Sequence, residues 1–401
     1  MALLHAISSS SFFLLLLHFS PAFSFSLREK LVTYDVSDFG AIAGGQTDAS
    51  KAFMSAWAAA CAAPGFVAIR VPPGVFLVGE AMFSGPCRST RITFQIAGTL
   101  VAPADYGVLG ESWIQFYEVE GVSIVGGTLD GRGASLWACK RAGDRNCPQG
   151  AVALRFTNSR EVTITGRLTL LNSEQFHIVI YGCEAVTLED VTISAPANSP
   201  NTDGIHIEHS AGVTITGATI GTGDDCVSIG PGSTDLWIER ISCGPGHGVS
   251  IGSLGKEYYY EAGVKNVTVT TAEFVGTLNG LRIKTWARPS RGFVRQVAFE
   301  HAAMWNVKNP IIIDQNYCPD EPNCPRQSSG VKISDVRYSD IHGSSATVVA
   351  VRFDCSSSNR CSGIRLEEIK LTYGNEPAIS FCNHAAGFNS GVVQPRSCLS
   401  S

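Results

Sequence analysis

Short alternations of apolar and polar residues recur along the chain at intervals close to one coil of a repeat protein. β-Branched tripeptides of the type Val162-Thr-Ile164 occur nine times, and from Val162 onward they follow each other at steps of 23 to 34 residues. Each repeat also holds a second alternating run, such as Gly204–Glu208. Alternation with β-branched enrichment predicts half-buried strands, and the Gly, Asn, Ser and Asp residues between the runs predict turns. The tripeptides begin at Val122, Val162, Val186, Val213, Leu236, Val267, Val297, Val331 and Ile364.

This pattern predicts an all-β chain folded as a right-handed parallel β-helix, a solenoid in which each coil packs on its neighbours. The leucine and asparagine frame of a leucine-rich repeat is missing, and a propeller would need longer antiparallel blades. Helical character is confined to the alanine-rich stretch 48–62. We expect this stretch to form an N-terminal capping helix that covers the open end of the solenoid and blocks edge-to-edge pairing.

The first 24 residues predict a signal peptide. The apolar run Phe12–Leu17 is too short to span a bilayer, and Ala22 with Ser24 offers the small-x-small pattern of a cleavage site. No later stretch of the sequence is apolar for long enough to span a membrane. We therefore expect a secreted, extracellular product in which residues 25–401 form a single catalytic domain.

Composition narrows the function class. The net charge of −5, without a basic stripe, gives no support for nucleic-acid binding. Thirteen cysteines fit an oxidising compartment, and without a CxxC motif or grouping with histidines they favour disulfides over zinc. Spacing alone does not determine connectivity, but the preferred pairs leave Cys183 unpaired. These pairs are 61–87, 139–147, 226–243, 318–324, 355–361 and 382–398.

Four polar clusters stand out in the middle of the chain: Asn201-Thr202-Asp203, Gly223-Asp224-Asp225, Gly246-His247-Gly248 and Arg282-Ile283-Lys284. Asp203 precedes Asp224 by 21 residues, and Asp224 precedes His247 by 23. Those intervals are about one coil, and equivalent positions of successive coils lie about 4.8 Å apart. The clusters should therefore form one patch on one face of the solenoid.

Three carboxylates beside an imidazole suit cleavage of a glycosidic bond. One acid must protonate the leaving oxygen while another carboxylate activates water or attacks directly. Crowding of like charges raises the pKa of at least one member, which keeps a proton available. Arg282 and Lys284 alternate with Ile283 and so share a strand face, and paired cations beside such a site indicate an anionic sugar.

These four clusters, in this order and at these spacings, resemble the marker motifs of the pectin-cleaving polygalacturonases of glycoside hydrolase family 28. The resemblance extends over the whole chain after the signal peptide. It implies a right-handed parallel β-helix that hydrolyses α-1,4 bonds between galacturonate units with inversion of configuration. By resemblance, Asp224 is the general acid, Asp203 and Asp225 position and deprotonate the water, and His247 supports the protonation state of the acid or a sugar hydroxyl.

The resemblance also implies the substrate-binding residues. Arg282 and Lys284 would hold substrate carboxylates beside the scissile bond, Asn201 would line the cleft, and Tyr317 would contact sugar. The implied partner is polygalacturonate or pectin in the plant cell wall. No metal or cofactor is expected, nor any membrane contact of the mature form, and we expect a monomer.

Three alternatives stay open at this stage. A pectate lyase shares the fold and the polymer, but it would use calcium bound by the carboxylates and an arginine base. A hydrolase of rhamnogalacturonan is closer to the main hypothesis. A non-catalytic pectin-binding wall protein could keep the same scaffold, although all three carboxylates are retained here. An isolated Asp-Asp after glycine is ordinarily a solvated turn, so the catalytic interpretation depends on the alignment of the four clusters.

Overall fold

The computed structural model describes residues 31–319 and 324–400. The predicted signal peptide, residues 1–24, lies outside the described residues. Neither of the two α-helices in the described part of the chain has the length and apolar character needed to cross a bilayer.

Two α-helices and 31 strands make up the described fold. The helices are α1 (Ser50–Ala62) and α2 (Ala134–Arg141), and a 3₁₀ turn spans Val36–Phe39. The first strands are β1 (Val32–Asp35), β2 (Gly65–Val71), β3 (Val75–Leu77), β4 (Ala81–Ser84), β5 (Ser89–Ile96), β6 (Thr99–Val101), β7 (Ser112–Tyr117), β8 (Val122–Val125), β9 (Thr128–Asp130) and β10 (Val152–Thr157). The middle strands are β11 (Arg160–Thr165), β12 (Thr169–Leu171), β13 (Ile178–Tyr181), β14 (Glu184–Glu189), β15 (Thr192–Ser194), β16 (Ile205–Glu208), β17 (Ala211–Thr216), β18 (Thr219–Gly221), β19 (Val227–Ile229), β20 (Thr234–Cys243) and β21 (Val249–Leu254). The last strands are β22 (Val264–Val275), β23 (Asn279–Trp286), β24 (Phe293–Val307), β25 (Asn309–Tyr317), β26 (Lys332–Ser345), β27 (Val349–Asp354), β28 (Cys361–Tyr373), β29 (Glu376–Pro377), β30 (Ile379–Asn383) and β31 (Ala385–Gln394).

The strands stack into two long sheets, as the alternating pattern predicts. Eleven of them form one parallel sheet, in the order β4, β7, β10, β13, β16, β19, β21, β23, β25, β27 and β30, which we call the site sheet. The other twenty form the back sheet. Early coils give the back sheet two short strands each, such as β17 and β18, and both of these pair with the single longer strand β20. The predicted parallel β-helix is confirmed.

Apolar side chains hold successive coils together by stacking in register inside the solenoid. Val162 pairs with Val186, and Val186 with Val213, and all three are fully buried. The column continues through Leu236, Val267 and Val297. Removal of this apolar surface from water is the main force that stabilises the stack.

The predicted register is wrong at one coil. Val297 pairs with Val336, and not with the tripeptide that begins at Val331. Strand β26 is 14 residues long and contains two apolar alternations, and only the second continues the column. Ile333, in the first alternation, pairs with Val294 instead.

The predicted capping helix is confirmed as α1, which begins two residues later than expected. Its buried side chains Phe53, Ala56 and Trp57 follow helical spacing and pack into the first coils. Trp57 stacks on Phe94 with ring centroids 5.9 Å apart, and its indole donates a hydrogen bond to the carbonyl oxygen of Ser84 at 3.0 Å. The second helix, α2, was not predicted because eight residues within a polar loop carry little periodic signal.

All six cysteine pairs favoured by spacing are bonded in the structure, and Cys183 is unpaired and buried among the described residues. The bond between Cys226 and Cys243 joins the strand that follows the acidic pair to the end of β20. It therefore fastens the chain just beneath the predicted patch.

Candidate active site

The four polar clusters meet on the face of the site sheet, as the spacing predicts. Asp203 lies just before β16, the acidic pair just before β19, and His247 just before β21, while Arg282 and Lys284 lie within β23. These four strands are consecutive neighbours in the sheet. A cleft of about 560 Å³ opens above them, and its walls include Asn201, Asp203, Asp224, Asp225, Lys284 and Tyr317.

Two glycines of the motifs are required because the chain passes too close to its neighbours for a side chain. A Cβ atom at Gly223 would collide with the carbonyl oxygen of Ser199 in the adjacent turn. Gly248 has a φ of +86°, and its Cβ would collide with the carbonyl oxygens of Asn279 and Gly280. This close packing of turns holds the acidic pair and His247 at the edge of the cleft.

Asp225 is the buried anchor of the site. Its side chain is 1% exposed, and its Oδ1 accepts from Nη2 of Arg282 at 2.7 Å and from the hydroxyl of Ser250 at 2.8 Å. Its Oδ2 accepts from Nζ of Lys284 at 2.8 Å. Burial alone would raise the pKa of Asp225, but the charges of Lys284 and Arg282 outweigh burial and hold this pKa at about 2. The carboxylate of Asp225 is therefore ionised in mildly acidic as well as in neutral solution.

Asp224 faces the cleft and is paired with the histidine. Its side chain is 23% exposed, and its Oδ1 lies 2.9 Å from Nδ1 of His247. The backbone N–H of Asp225 donates to the same oxygen at 2.8 Å. Among the described residues, none makes a hydrogen bond to the second oxygen of Asp224, and Asp224 lines the cleft.

Asp203 carries the raised pKa that charge crowding predicts. Burial is the largest cause, and the nearby charges of Asp224 and Asp225 add to it, so its pKa lies well above the ordinary value. The site therefore combines one carboxylate that stays ionised, Asp225, with one carboxyl group that favours its protonated form, Asp203.

Of the predicted binding residues, Asn201, Lys284 and Tyr317 line the cleft, whereas Arg282 is buried behind it. Asn201 lies on its wall with a φ of +55°, a conformation that asparagine tolerates. The ring of Tyr317 lies 5.1 Å from Nζ of Lys284 and 5.7 Å from the guanidinium of Arg282. Both cations are nearly buried and are held on Asp225, so their first effect is on the charge state of that carboxylate. Direct contact of Arg282 and Lys284 with substrate carboxylates stays a prediction.

Sequence reasoning missed several polar residues of the site. Ser250 accepts a hydrogen bond from Nε of Arg282 at 2.8 Å while it donates to Asp225, so it orients both charged groups. His206 lies on the cleft wall, where its Nδ1 is 2.8 Å from the hydroxyl of Ser228. The strand register could have identified these residues in advance. Equivalent positions of four stacked strands are occupied by His206, Ser228, Ser250 and Arg282.

The site offers one cluster with the donor atoms for a metal ion. One oxygen or nitrogen each of Asp224, Asp225 and His247 lie within 4.8 Å of one another. The charge of Asp225 is already compensated by Arg282 and Lys284, which disfavours a divalent cation there. The chemistry that these residues support best is acid–base catalysis.

His177 lies beneath Asp203 and makes the stability of the site depend on pH. It is fully buried, with Nδ1 3.1 Å from the carbonyl oxygen of Asp203 and Nε2 accepting from the N–H of Ser173 at 3.3 Å. Burial lowers its pKa from 6.5 to about 4. Below pH 6.5 the imidazole of His177 binds a proton in the unfolded chain but not in the folded chain. The free energy of unfolding is therefore highest above pH 6.5 and falls by about 3 kcal/mol between pH 6.5 and pH 4.

We expect His177→Asn to flatten this pH dependence, even if the variant is less stable throughout. The measurement is the unfolding temperature of both proteins at pH values from 7 down to 4. Parallel loss of stability in the two proteins would contradict the assignment to His177.

Comparison with known proteins places this arrangement in a family. Residues 61–394 match Glycosyl hydrolases family 28. The chain is similar to "Polygalacturonase" of Prunus persica, with 58% identity over 92% of this chain and 94% of that protein. It is similar to "Exopolygalacturonase" of Platanus acerifolia, with 43% identity over 90% of this chain and 96% of the other. Among solved structures, the polygalacturonase of Erwinia carotovora subsp. carotovora superposes with a TM-score of 0.67 at 25% identity, covering 90% of this chain and 96% of that one.

Proposed function

The chain belongs to glycosyl hydrolases family 28, and from that premise we propose that it is a polygalacturonase that hydrolyses α-1,4 bonds between the galacturonate units of pectin. The observation that carries the proposal is that adjacent carboxyl groups of the site favour different protonation states. Asp225 is held as an anion by two buried cations, while the raised pKa of Asp203 keeps a proton on that neighbouring carboxyl group. Glycoside hydrolysis needs both states at once.

Asp224 delivers the proton to the leaving glycosidic oxygen. Its side chain is the most exposed of the three and lines the cleft, and His247 contacts one of its two oxygens. Asp203, whose pKa lies well above the ordinary value, holds a proton one coil away from Asp224. The imidazole of His247 supports the carboxylate that is left after proton transfer.

Asp225, which follows Asp224 in the same turn, and Asp203, one coil away, hold the attacking water. Both oxygens of Asp225 accept hydrogen bonds from cations, which makes Asp225 a poor nucleophile and favours attack by water over a covalent intermediate. As the water attacks, its proton passes to the ionised carboxylate of Asp225, the general base, while Asp224 gives its own proton to the leaving oxygen. Tyr317 and the outer face of Lys284 contact the sugar that carries the leaving oxygen.

Attack by water in a single displacement predicts inversion at the anomeric carbon. Proton NMR of the first product, recorded before mutarotation, should show the β-anomer from the α-linked polymer. If the first anomer is α, the role assigned to Asp225 is wrong.

The substrate is tested by comparing polymers under one set of conditions. De-esterified polygalacturonate should yield new reducing ends at a rate well above that of rhamnogalacturonan, whose alternating rhamnose lacks a carboxylate. Equal or faster cleavage of rhamnogalacturonan would show that polygalacturonate is not the preferred substrate. Absence of cleavage with intact binding to either polymer would support the pectin-binding wall protein instead.

Pectin lies outside the cell, and the proposal extends to location and form. Residues 1–24 direct secretion, and residues 25–401 act as a single catalytic domain in the cell wall, as a monomer. The six disulfides support an oxidising compartment. Amino-terminal sequencing of secreted protein should begin at Phe25, and light scattering should give the mass of one chain.

A further inference from the structure

A row of outward-facing side chains runs along the floor of the site sheet, at equivalent positions of successive strands. It connects the catalytic strands with β10, which lies two strands before β16. Near its N-terminal end stands Arg155, and near its C-terminal end stand Arg282 and Arg352. In order the row is Gln115, Arg155, Val179, His206, Ser228, Ser250, Arg282, Ile312 and Arg352.

Arg155 differs from the other two arginines of this row in its partners. Arg282 is bonded to Asp225, and Nη2 of Arg352 lies 3.5 Å from Oδ2 of Asp354. The Nε of Arg155 donates to the hydroxyl of Ser112 at 2.7 Å, and no carboxylate oxygen of the described residues lies within ion-pair distance of its guanidinium.

The surroundings of Arg155 leave its charge only partly compensated. The side chain is half-buried, and burial lowers its pKa, while Glu111 and Glu208 act on it only through space. A guanidinium held by one neutral hydroxyl keeps its remaining N–H groups for an external acceptor.

A second cavity lies directly over Arg155 and adjoins the catalytic cleft. It has a volume of about 380 Å³, and Gln149 lines both this cavity and the catalytic cleft. Its walls are built mainly by Leu109, Glu111, Pro148, Gln149, Arg155 and Gln175. A polymer in the catalytic cleft can therefore extend into this cavity along the axis on which the strands stack.

The spacing of the strands fits a pyranose chain. Strand β10 precedes β19, whose preceding turn carries Asp224, by three steps of about 4.8 Å, or roughly 14 Å. An α-1,4-linked pyranose advances by a similar distance per unit, so this span corresponds to about three sugar units. Lys284 and Tyr317 lie on the opposite side of the acidic pair.

We propose that Arg155 is a substrate-binding residue that forms a charge-assisted hydrogen bond with the carboxylate of a galacturonate about three units from the scissile bond, on the side opposite to Lys284. The inference rests on the proposed function and deepens it. It assigns the enzyme an extended cleft that recognises a run of free, non-esterified galacturonates on the β10 side. A methyl ester at that unit removes the anionic acceptor and weakens the contact.

The test compares the efficiency of cleavage of oligogalacturonides of two lengths. Trigalacturonate spans the acidic pair without reaching Arg155, whereas hexagalacturonate reaches it. In Arg155→Gln we expect kcat/KM for the hexamer to fall roughly 10- to 100-fold, the range of a lost charge-assisted hydrogen bond, with kcat/KM for the trimer unchanged. Arg155→Lys keeps the positive charge but loses the planar guanidinium, so its kcat/KM for the hexamer should lie between those of the wild type and the glutamine variant.

The ratio of the two efficiencies is measured on one protein sample, so partial misfolding of a variant cancels. Arg160→Gln is the matched control, because Arg160 is an exposed arginine on β11 of the back sheet. It should leave the ratio unchanged. An unchanged ratio in Arg155→Gln, or equal efficiencies for both lengths in the wild type, would overturn the inference and leave the proposed function standing. Failure of the wild type to cleave either oligomer would refute the proposed function itself.

Discussion

Asp224→Asn should lower the turnover of polygalacturonate by about 10²- to 10⁴-fold, the usual contribution of a positioned general acid. The amide has nearly the same shape as the carboxylic acid but has no proton of suitable acidity to give to the leaving oxygen. The hydrogen bond with His247 and the fold should be retained, because the side chain of Asp224 is partly exposed and an amide oxygen can accept the same hydrogen bond. The measurement is release of reducing ends at saturating substrate.

A binding measurement distinguishes the loss of catalysis from the loss of the substrate-binding site. Calorimetric titration of trigalacturonate into Asp224→Asn should give an affinity within a few-fold of the wild type. Asp335→Asn is a matched control, since Asp335 is an exposed aspartate on β26 of the back sheet and should behave as wild type. Turnover that survives Asp224→Asn would assign the acid role to Asp203, the carboxyl group whose pKa is raised.

Asp225→Asn should abolish most turnover and should also destabilise the protein by about 3–5 kcal/mol, the range for breaking one side of a buried ion pair. The side chains of Arg282 and Lys284 are 8% and 10% exposed, so the loss of their shared carboxylate strands two cations in the interior. The same chemical change at Asp224 strands none. The two variants should therefore be equally poor catalysts but should differ clearly in unfolding temperature.

A second substitution identifies the cause of the destabilisation. Combining Asp225→Asn with Lys284→Met removes one of the stranded charges and should restore part of the stability without restoring turnover. An Asp225→Asn variant as stable as Asp224→Asn would contradict the view that the cations are held chiefly by Asp225.

The alignment of the motifs was predictable because the solenoid turns spacing along the chain into distance across strands. Asp203, Asp224 and His247 lie about one coil apart, and in a parallel β-helix that places them on adjacent strands. The capping helix and the strand positions followed from periodicity in the same way. Even the disulfides agreed with proximity in sequence, because three of the six join cysteines only 6 to 8 residues apart.

Other features depend on three-dimensional contacts that no local pattern records. The sequence indicated two cations for a substrate carboxylate, but it did not show that both are held on Asp225. His177 carried no marker, since its role comes from burial beneath the turn of Asp203. The register at β26 was wrong because two alternations compete within one long strand, and packing on Val297 selects the second.

The most direct test of the central claim is to incubate the secreted protein with de-esterified polygalacturonate at mildly acidic pH in the presence of EDTA. Reducing ends and the ultraviolet absorbance of unsaturated products are followed together. Hydrolysis by the three aspartates predicts new reducing ends that EDTA leaves unchanged, with no unsaturated chromophore. A chromophore that forms without EDTA and disappears with it would identify a calcium-dependent lyase and contradict the roles assigned to Asp203, Asp224 and Asp225.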